Sequence, residues 1–230
     1  MMVFPTMPKF LDMKTLEVDV DKERDIKVTD LGKDVFPLKV IEVPDVYRDP
    51  VAVRSLALEI PSCFANEMTK NTGFPGWRGT IGCDQRQLYE LIHNVLLEHF
   101  PDEYGGPFTQ ELKFPFMTGL INTKSIIRRV KDKHWKWPLW PHRDTSTFSP
   151  GSIAGVIYLN FPEECRGGTA FYEDKPDYDN KKMIYNSKMT FNTMLLYQMR
   201  VCHSVYMESI EDFRDHWRIA QNFFISDHVP

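Results

Sequence analysis

The sequence predicts a mainly β protein with helices in its N-terminal part, an α+β chain whose second half folds as a sandwich or barrel. Three observations carry this. Beyond residue 107, short runs rich in β-branched and aromatic residues succeed one another, separated by Gly, Pro, Asn and Asp. Before it, two segments open with helix-start signals and continue with apolar residues at helical spacing. Finally, 230 residues with 42% hydrophobic content can close a core that needs no disulfide or metal staple.

Residues 1–34 are charged and weakly periodic, although Leu16, Val18 and Val20 alternate with charges in the manner of a short edge strand. Residues 36–43 read as a strand closed by Pro44. Asp49 and Pro50 then supply an N-cap and a first helical residue for a helix running to Ile60. Five glycines and prolines between 61 and 83 (Gly73, Pro75, Gly76, Gly79, Gly82) make that stretch an irregular loop. In the next helix, Asp84 is the expected cap and Gln87 the partner in a capping box. Leu88, Leu91, Ile92, Val95 and Leu96 share one face, and Pro101 follows its end. The strand-like runs beyond 107 are 114–121, 125–130, 152–160, 169–172, 183–191, 194–197, 201–205 and 217–226. The expected organisation is a single domain over 1–230, with 1–106 as a strand-and-helix support and 107–230 as the β core.

Composition excludes several classes. With 28 Lys+Arg against 32 Asp+Glu the formal charge is −4, which argues against wholesale nucleic-acid binding. The four cysteines (Cys63, Cys83, Cys165, Cys202) form no CxxC pair, so neither a zinc knuckle nor a disulfide scaffold is expected. The N-terminal segment lacks the pattern of a signal peptide, and no apolar run reaches the ~18–20 residues of a membrane span. A reduced, cytoplasmic protein without membrane contact is the expectation.

The chemistry centres on Pro141-His142-Arg143-Asp144. In extended chain residues i and i+2 share a face, so His142 and Asp144 present an imidazole and a carboxylate to one point. His203 lies 61 residues further on in another strand-like run, Val201-Cys202-His203-Ser204-Val205. Two imidazoles and a carboxylate make a facial triad for Fe(II), leaving three octahedral positions open. Alternation turns Cys202 and Ser204 away from the His203 side, which makes Cys202 a packing residue. Taken alone, His-x-Asp equally describes a surface histidine beside a turn aspartate.

The ordered set of motifs resembles the jelly-roll Fe(II)/2-oxoglutarate-dependent oxygenases, nearest in pattern to their prolyl-hydroxylase-like branch. The matching series is His142-x-Asp144, Ile157-Tyr158-Leu159-Asn160, Gly167-Gly168-Thr169-Ala170-Phe171, His203 and Arg218-Ile219-Ala220. Residues 36–82, with Phe74-Pro75-Gly76-Trp77-Arg78, look similar to an uncharacterised group of such proteins. The resemblance implies a double-stranded β-helix (cupin-like) core, iron held by His142, Asp144 and His203, and 2-oxoglutarate and O2 as co-substrates. It makes Arg218 the anchor for the distal carboxylate of 2-oxoglutarate and adds the Tyr158 hydroxyl to the same group. The implied activity is hydroxylation of a substrate C–H, coupled to decarboxylation of 2-oxoglutarate to succinate.

Two departures stand out. The His203-to-Arg218 interval is longer than usual in the family, as if 208–215 were inserted; Arg214 has the more typical spacing and ranks second as anchor. Ala220 stands where a small hydroxyl residue is common. Asp144 is retained, which argues against a halogenase-type site. Upstream of the triad, residues 128–140 interleave basic and aromatic side chains, with Trp137 and Trp140 as candidates for the substrate side. They suit a pocket mouth better than a nucleic-acid surface. A non-catalytic jelly-roll binding module and a cupin-like metal protein without co-substrate stand as alternatives. The substrate, small molecule or peptide, and the oligomeric state are not legible.

Overall fold

Two antiparallel sheets facing one another across an apolar interior set the architecture; the computed structural model describes residues 16–33, 37–65, 74–100, 115–133, 141–144, 152–173 and 182–225. The described residues form strands β1 (Lys27–Lys33), β2 (Pro37–Val43), β3 (Ser62–Phe64), β4 (Trp77–Ile81), β5 (Phe116–Ile121), β6 (Ile153–Tyr158), β7 (Gly168–Tyr172), β8 (Met183–Lys188), β9 (Thr193–Gln198), β10 (His203–Tyr206) and β11 (Arg218–Ile225). The helices are α1 (Pro50–Glu59), α2 (Arg86–His99) and α3 (Thr123–Lys133). The large sheet runs β1-β2-β9-β6-β11-β5-β4-β3 and the small one β10-β7-β8. The fold is mainly β, with a double-stranded β-helix core.

Strand periodicity explains which side of the large sheet faces which partner. On β11, Ile219, Phe223 and Ile225 join the apolar cluster that also holds Val53, Leu56 and Ala57 of α1 and the apolar face of α2. Ala220, one residue out of phase, joins the other cluster with Tyr158, Leu195 and Tyr197 of the large sheet and Phe171 of the small one. α1 and α2 therefore cover the outer face, and the interior between the sheets is left for a site. Beneath the helices, the Tyr47 hydroxyl donates to Gln221 Oε1 and Gln221 Nε2 donates to Gln85 Oε1 at 2.7 Å, so these three buried polar side chains are paired.

α1 starts as expected: Asp49 accepts the Ala52 N–H at 3.0 Å and Pro50 opens the helix. Five elements differ from the sequence expectation. Residues 125–130 belong to α3 and not to a strand, because Asn122 and Ser125 cap it reciprocally: Asn122 Oδ1 accepts from Ser125 N at 2.8 Å and Ser125 Oγ from Asn122 N at 3.0 Å. α2 is capped at Gln85 and not at Asp84, whose carboxylate accepts from Arg86 N. Gln87 closes no box; its Oε1 accepts from Val18 N at 3.0 Å and ties down the N-terminal segment. That segment is a single bridge, Val18 to Tyr47, and not a strand. The stretch 61–83 is not only loop, since it carries β3 and β4; Gly79 fits there because a Cβ would meet Ile60 and Pro61 at 2.6 and 2.8 Å. The charged residues 27–33 form an additional edge strand, β1, whose lysines and aspartate suit an exposed edge.

The interval 208–215 holds a short 3-10 helix, Ile210–Phe213, which buries Phe213 in the inter-sheet cluster. All four cysteines are unpaired, and Cys202 is buried beside Ala170 and Tyr172. No helix among the described residues is long and apolar enough to cross a membrane.

Gly167 takes φ +74°, and a Cβ there would lie 2.0 Å from the Tyr206 carbonyl oxygen. Its backbone leads β7 between β10 and β8. Gly167→Ala is expected to cost about 2–4 kcal/mol from left-handed strain and overpacking. Urea denaturation measures it; a change near zero would show that β7 can shift without loss.

Candidate metal centre

His142 and His203 are joined by the backbone before their side chains matter. Each donates its N–H to the other's carbonyl at 2.9 Å, an antiparallel bridge that adds the 142 segment to the free edge of β10. Directly opposed residues point to the same face, so the imidazoles lie side by side with ring centroids 4.6 Å apart. Asp144, two residues on, returns to that face, its N–H donating to the Met199 carbonyl at 2.9 Å. His142 Nε2 is 3.6 Å from Asp144 Oδ1, and His203 Nε2 is 3.4 Å from Asp144 Oδ2. One ligand atom from each of the three residues lies within 4.8 Å of those of the other two. Exposure is graded across the group: the His142 side chain is 46% exposed, Asp144 15% and His203 7%, so the cluster opens on the His142 side.

The tautomer of His203 is set by its surroundings. Nδ1 lies 2.9 Å from the Val201 carbonyl oxygen, which can only accept, so Nδ1 carries the proton and Nε2 presents a lone pair. Burial lowers the His203 pKa to about 4, Asp144 opposing and His142 adding to the shift. At neutral pH the ring is uncharged. Burial also pushes the Asp144 carboxyl up, but His203, His142 and Arg78 outweigh it, and the net direction is down. A neutral imidazole lone pair thus faces a carboxylate oxygen that has no hydrogen-bond partner. Two acceptors pointed at one spot with no proton between them is the donor set a cation satisfies.

Deeper in, Arg218 opens β11 and is 2% exposed. Its guanidinium lies over the Tyr158 ring at 5.3 Å, and one Nη donates to the Gly168 carbonyl at 3.4 Å. Nε is buried without a partner, and among the described residues no carboxylate forms an ion pair with this arginine. Burial lowers its pKa, offset in part by Tyr158 and Tyr197. The Tyr158 hydroxyl shares a 2.7 Å hydrogen bond with Thr169. Arg214, the other candidate, points outward and pairs with Glu211 at 2.5 Å, its side chain 66% exposed. Trp137 and Trp140 lie outside the described residues.

Sequence reasoning missed two contributors. Tyr197 packs against the His203 ring at 4.7 Å; its hydroxyl is pushed well up by burial and by Asp144. Arg78, on β4, senses Asp144 electrostatically, and its location in a stretch read as loop concealed it. The alternation Arg78–Thr80 within Trp77–Ile81 was the available signal.

The family DUF6445, described as a family of unknown function, matches residues 22–183. No curated protein matches the sequence. Similar solved structures include SnoN, a non-heme alpha ketoglutarate dependent epimerase from nogalamycin biosynthesis, at 15% identity over 80% of this chain and 75% of that one, TM-score 0.46. A second is an N-substituted L-amino acid dioxygenase from Burkholderia ambifaria AMMD, at 11% identity over 80% and 81%, TM-score 0.36. A third, EvdMO1, is 12% identical over 88% of this chain and 56% of that one, TM-score 0.28.

In the metal-free protein, unfolding returns His203 from a pKa of about 4 to one near 6.5. Between those values the unfolded state binds the extra proton, so stability falls as pH falls, by about 2–3 kcal/mol across the window. Urea midpoints between pH 7.5 and 5 test this, and His203→Gln is expected to flatten the dependence. An unchanged slope in the variant would contradict it.

Proposed function

We propose that this chain, which belongs to the DUF6445 family of unknown function, is a non-haem Fe(II)- and 2-oxoglutarate-dependent oxygenase that hydroxylates a substrate C–H. His142, Asp144 and His203 would hold the iron, and Arg218 the distal carboxylate of 2-oxoglutarate. The observation that carries the reading is the unprotonated pair at 3.4 Å, His203 Nε2 against Asp144 Oδ2, closed into a three-donor set by His142. Two neutral nitrogens and one carboxylate suit a ferrous ion, and three protein donors leave room for reactants. With iron and 2-oxoglutarate bound, the centre would use O2 to convert 2-oxoglutarate to succinate and CO2 while one oxygen atom enters the substrate.

The protein's own residues have definite tasks. The bond from Nδ1 to Val201 holds the His203 ring in the ligating tautomer. Tyr197 and Phe171 wall that ring and keep water from it. The interior position of Arg218, lacking any acidic partner among the described residues, favours a co-substrate over a cupin-like metal site alone, since a buried guanidinium gains most from a planar anion that matches its fork. Tyr158, beneath that guanidinium and hydrogen-bonded to Thr169, limits where the anion can sit. A non-catalytic binding module would have no use for both features together.

Anaerobic titration of the full chain with Fe(II) and then 2-oxoglutarate is expected to give a weak visible charge-transfer band, lost in His142→Ala, Asp144→Ala and His203→Ala. Admission of O2 should release succinate. Arg218→Gln is expected to raise the 2-oxoglutarate requirement at least about 30-fold, the equivalent of ~2 kcal/mol, while Arg214→Gln changes it little. Folded, iron-loaded protein that shows neither band nor succinate would refute the oxygenase reading.

A further inference from the structure

The centre as assigned leaves unused a half-buried cation, Arg78, whose Nε is itself buried. Cross-strand register places Arg78 of β4 beside Gly119 of β5, Gly119 beside Ala220 of β11, and Ala220 beside Tyr158 of β6. Residues in one such row share a face. Ala220 and Tyr158 belong to the inter-sheet cluster, so Arg78 projects into the same interior as the triad and Arg218. Its guanidinium lies over the Phe74 ring at 4.4 Å, with Phe74 packed against that cluster. Nε is buried without a hydrogen-bond partner, and among the described residues no carboxylate forms an ion pair with Arg78. Asp144 acts on it through space and is otherwise engaged with the histidines.

Charge arithmetic gives this position a meaning. A ferrous ion, the Asp144 carboxylate, dianionic 2-oxoglutarate and the Arg218 guanidinium together are neutral. Arg78 is the charge left over, in a place where an uncompensated charge is costly. One further monoanion would restore neutrality, and a guanidinium braced on an aromatic ring presents a planar fork to a carboxylate.

We propose, building on the oxygenase reading, that the substrate to be hydroxylated is a carboxylic acid and that Arg78 binds its carboxylate. The acid group would sit on the β4 side of the interior and Arg218 would keep the co-substrate on the β11 side. A dianionic phosphate would overcompensate the single charge.

The test uses the full chain loaded anaerobically with Fe(II) and 2-oxoglutarate. Calorimetry compares benzoate, phenylacetate and N-acetylphenylalanine with their primary amides, and benzoate with phenyl phosphate. At least one acid is expected to bind tenfold or more tightly than its amide, and more tightly than the phosphate. Arg78→Gln should erase that preference while keeping the charge-transfer band, and Arg78→Lys should retain part of it. Wild-type protein with the band but no preference for acids overturns the inference and leaves the oxygenase reading standing. The same holds if the preference survives in Arg78→Gln, if phenyl phosphate binds best, or if Arg78→Gln loses the band, which would assign Arg78 to the centre itself. A wild-type protein without the band overturns both.

Discussion

The pair of backbone hydrogen bonds between His142 and His203 is the constraint on which the site depends. It joins residues 61 apart in the chain and leaves no freedom in which face their side chains take. Each bond contributes only about 1 kcal/mol net, so the 141–144 segment is held lightly by its backbone. The surrounding packing does the rest: Tyr197 and Phe171 fix the His203 ring, and the Asp144 N–H bond to Met199 fixes the return of the chain. An ion that bound only this native arrangement would add to its stability by linkage.

Asp144, Arg78 and Arg218 face the interior between the sheets, and none of the three forms an ion pair with another of them. Burial raises the energy of each charge, and proteins that keep such groups generally keep them for a ligand. The polar groups on the outer face behave differently. There Tyr47, Gln221 and Gln85 satisfy one another and serve packing alone. That paired set contrasts with Asp144, Arg78 and Arg218, each of which keeps a buried polar atom without a hydrogen-bond partner.

Much of the fold was legible because strands alternate with period two. The runs around 153–158, 168–172, 193–198 and 218–225 declare themselves by β-branched and aromatic content between turn residues. α3 was not legible, because Ile126, Ile127 and Val130 look like strand residues and only the Asn122–Ser125 cap decides for a helix. The glycines at 76, 79 and 82 disguised β4 as loop and took Arg78 out of view; at Gly79 the glycine answers to a neighbour, Pro61, that no local pattern reveals. Within the site, the His142–Asp144 spacing could be read directly. The approach of His203 could be expected only from motif order, since register between distant strands is a property of the whole sheet. The Val201 carbonyl that sets the His203 tautomer was out of reach for the same reason.

Everything proposed for the site requires three side chains to share one ion. A crystal structure of protein grown anaerobically with Fe(II) and 2-oxoglutarate, with anomalous data at the iron edge, tests it most directly. A single strong peak bonded to His142 Nε2, His203 Nε2 and an Asp144 oxygen is the expected result. Iron bound elsewhere, or bound without His203, would contradict it.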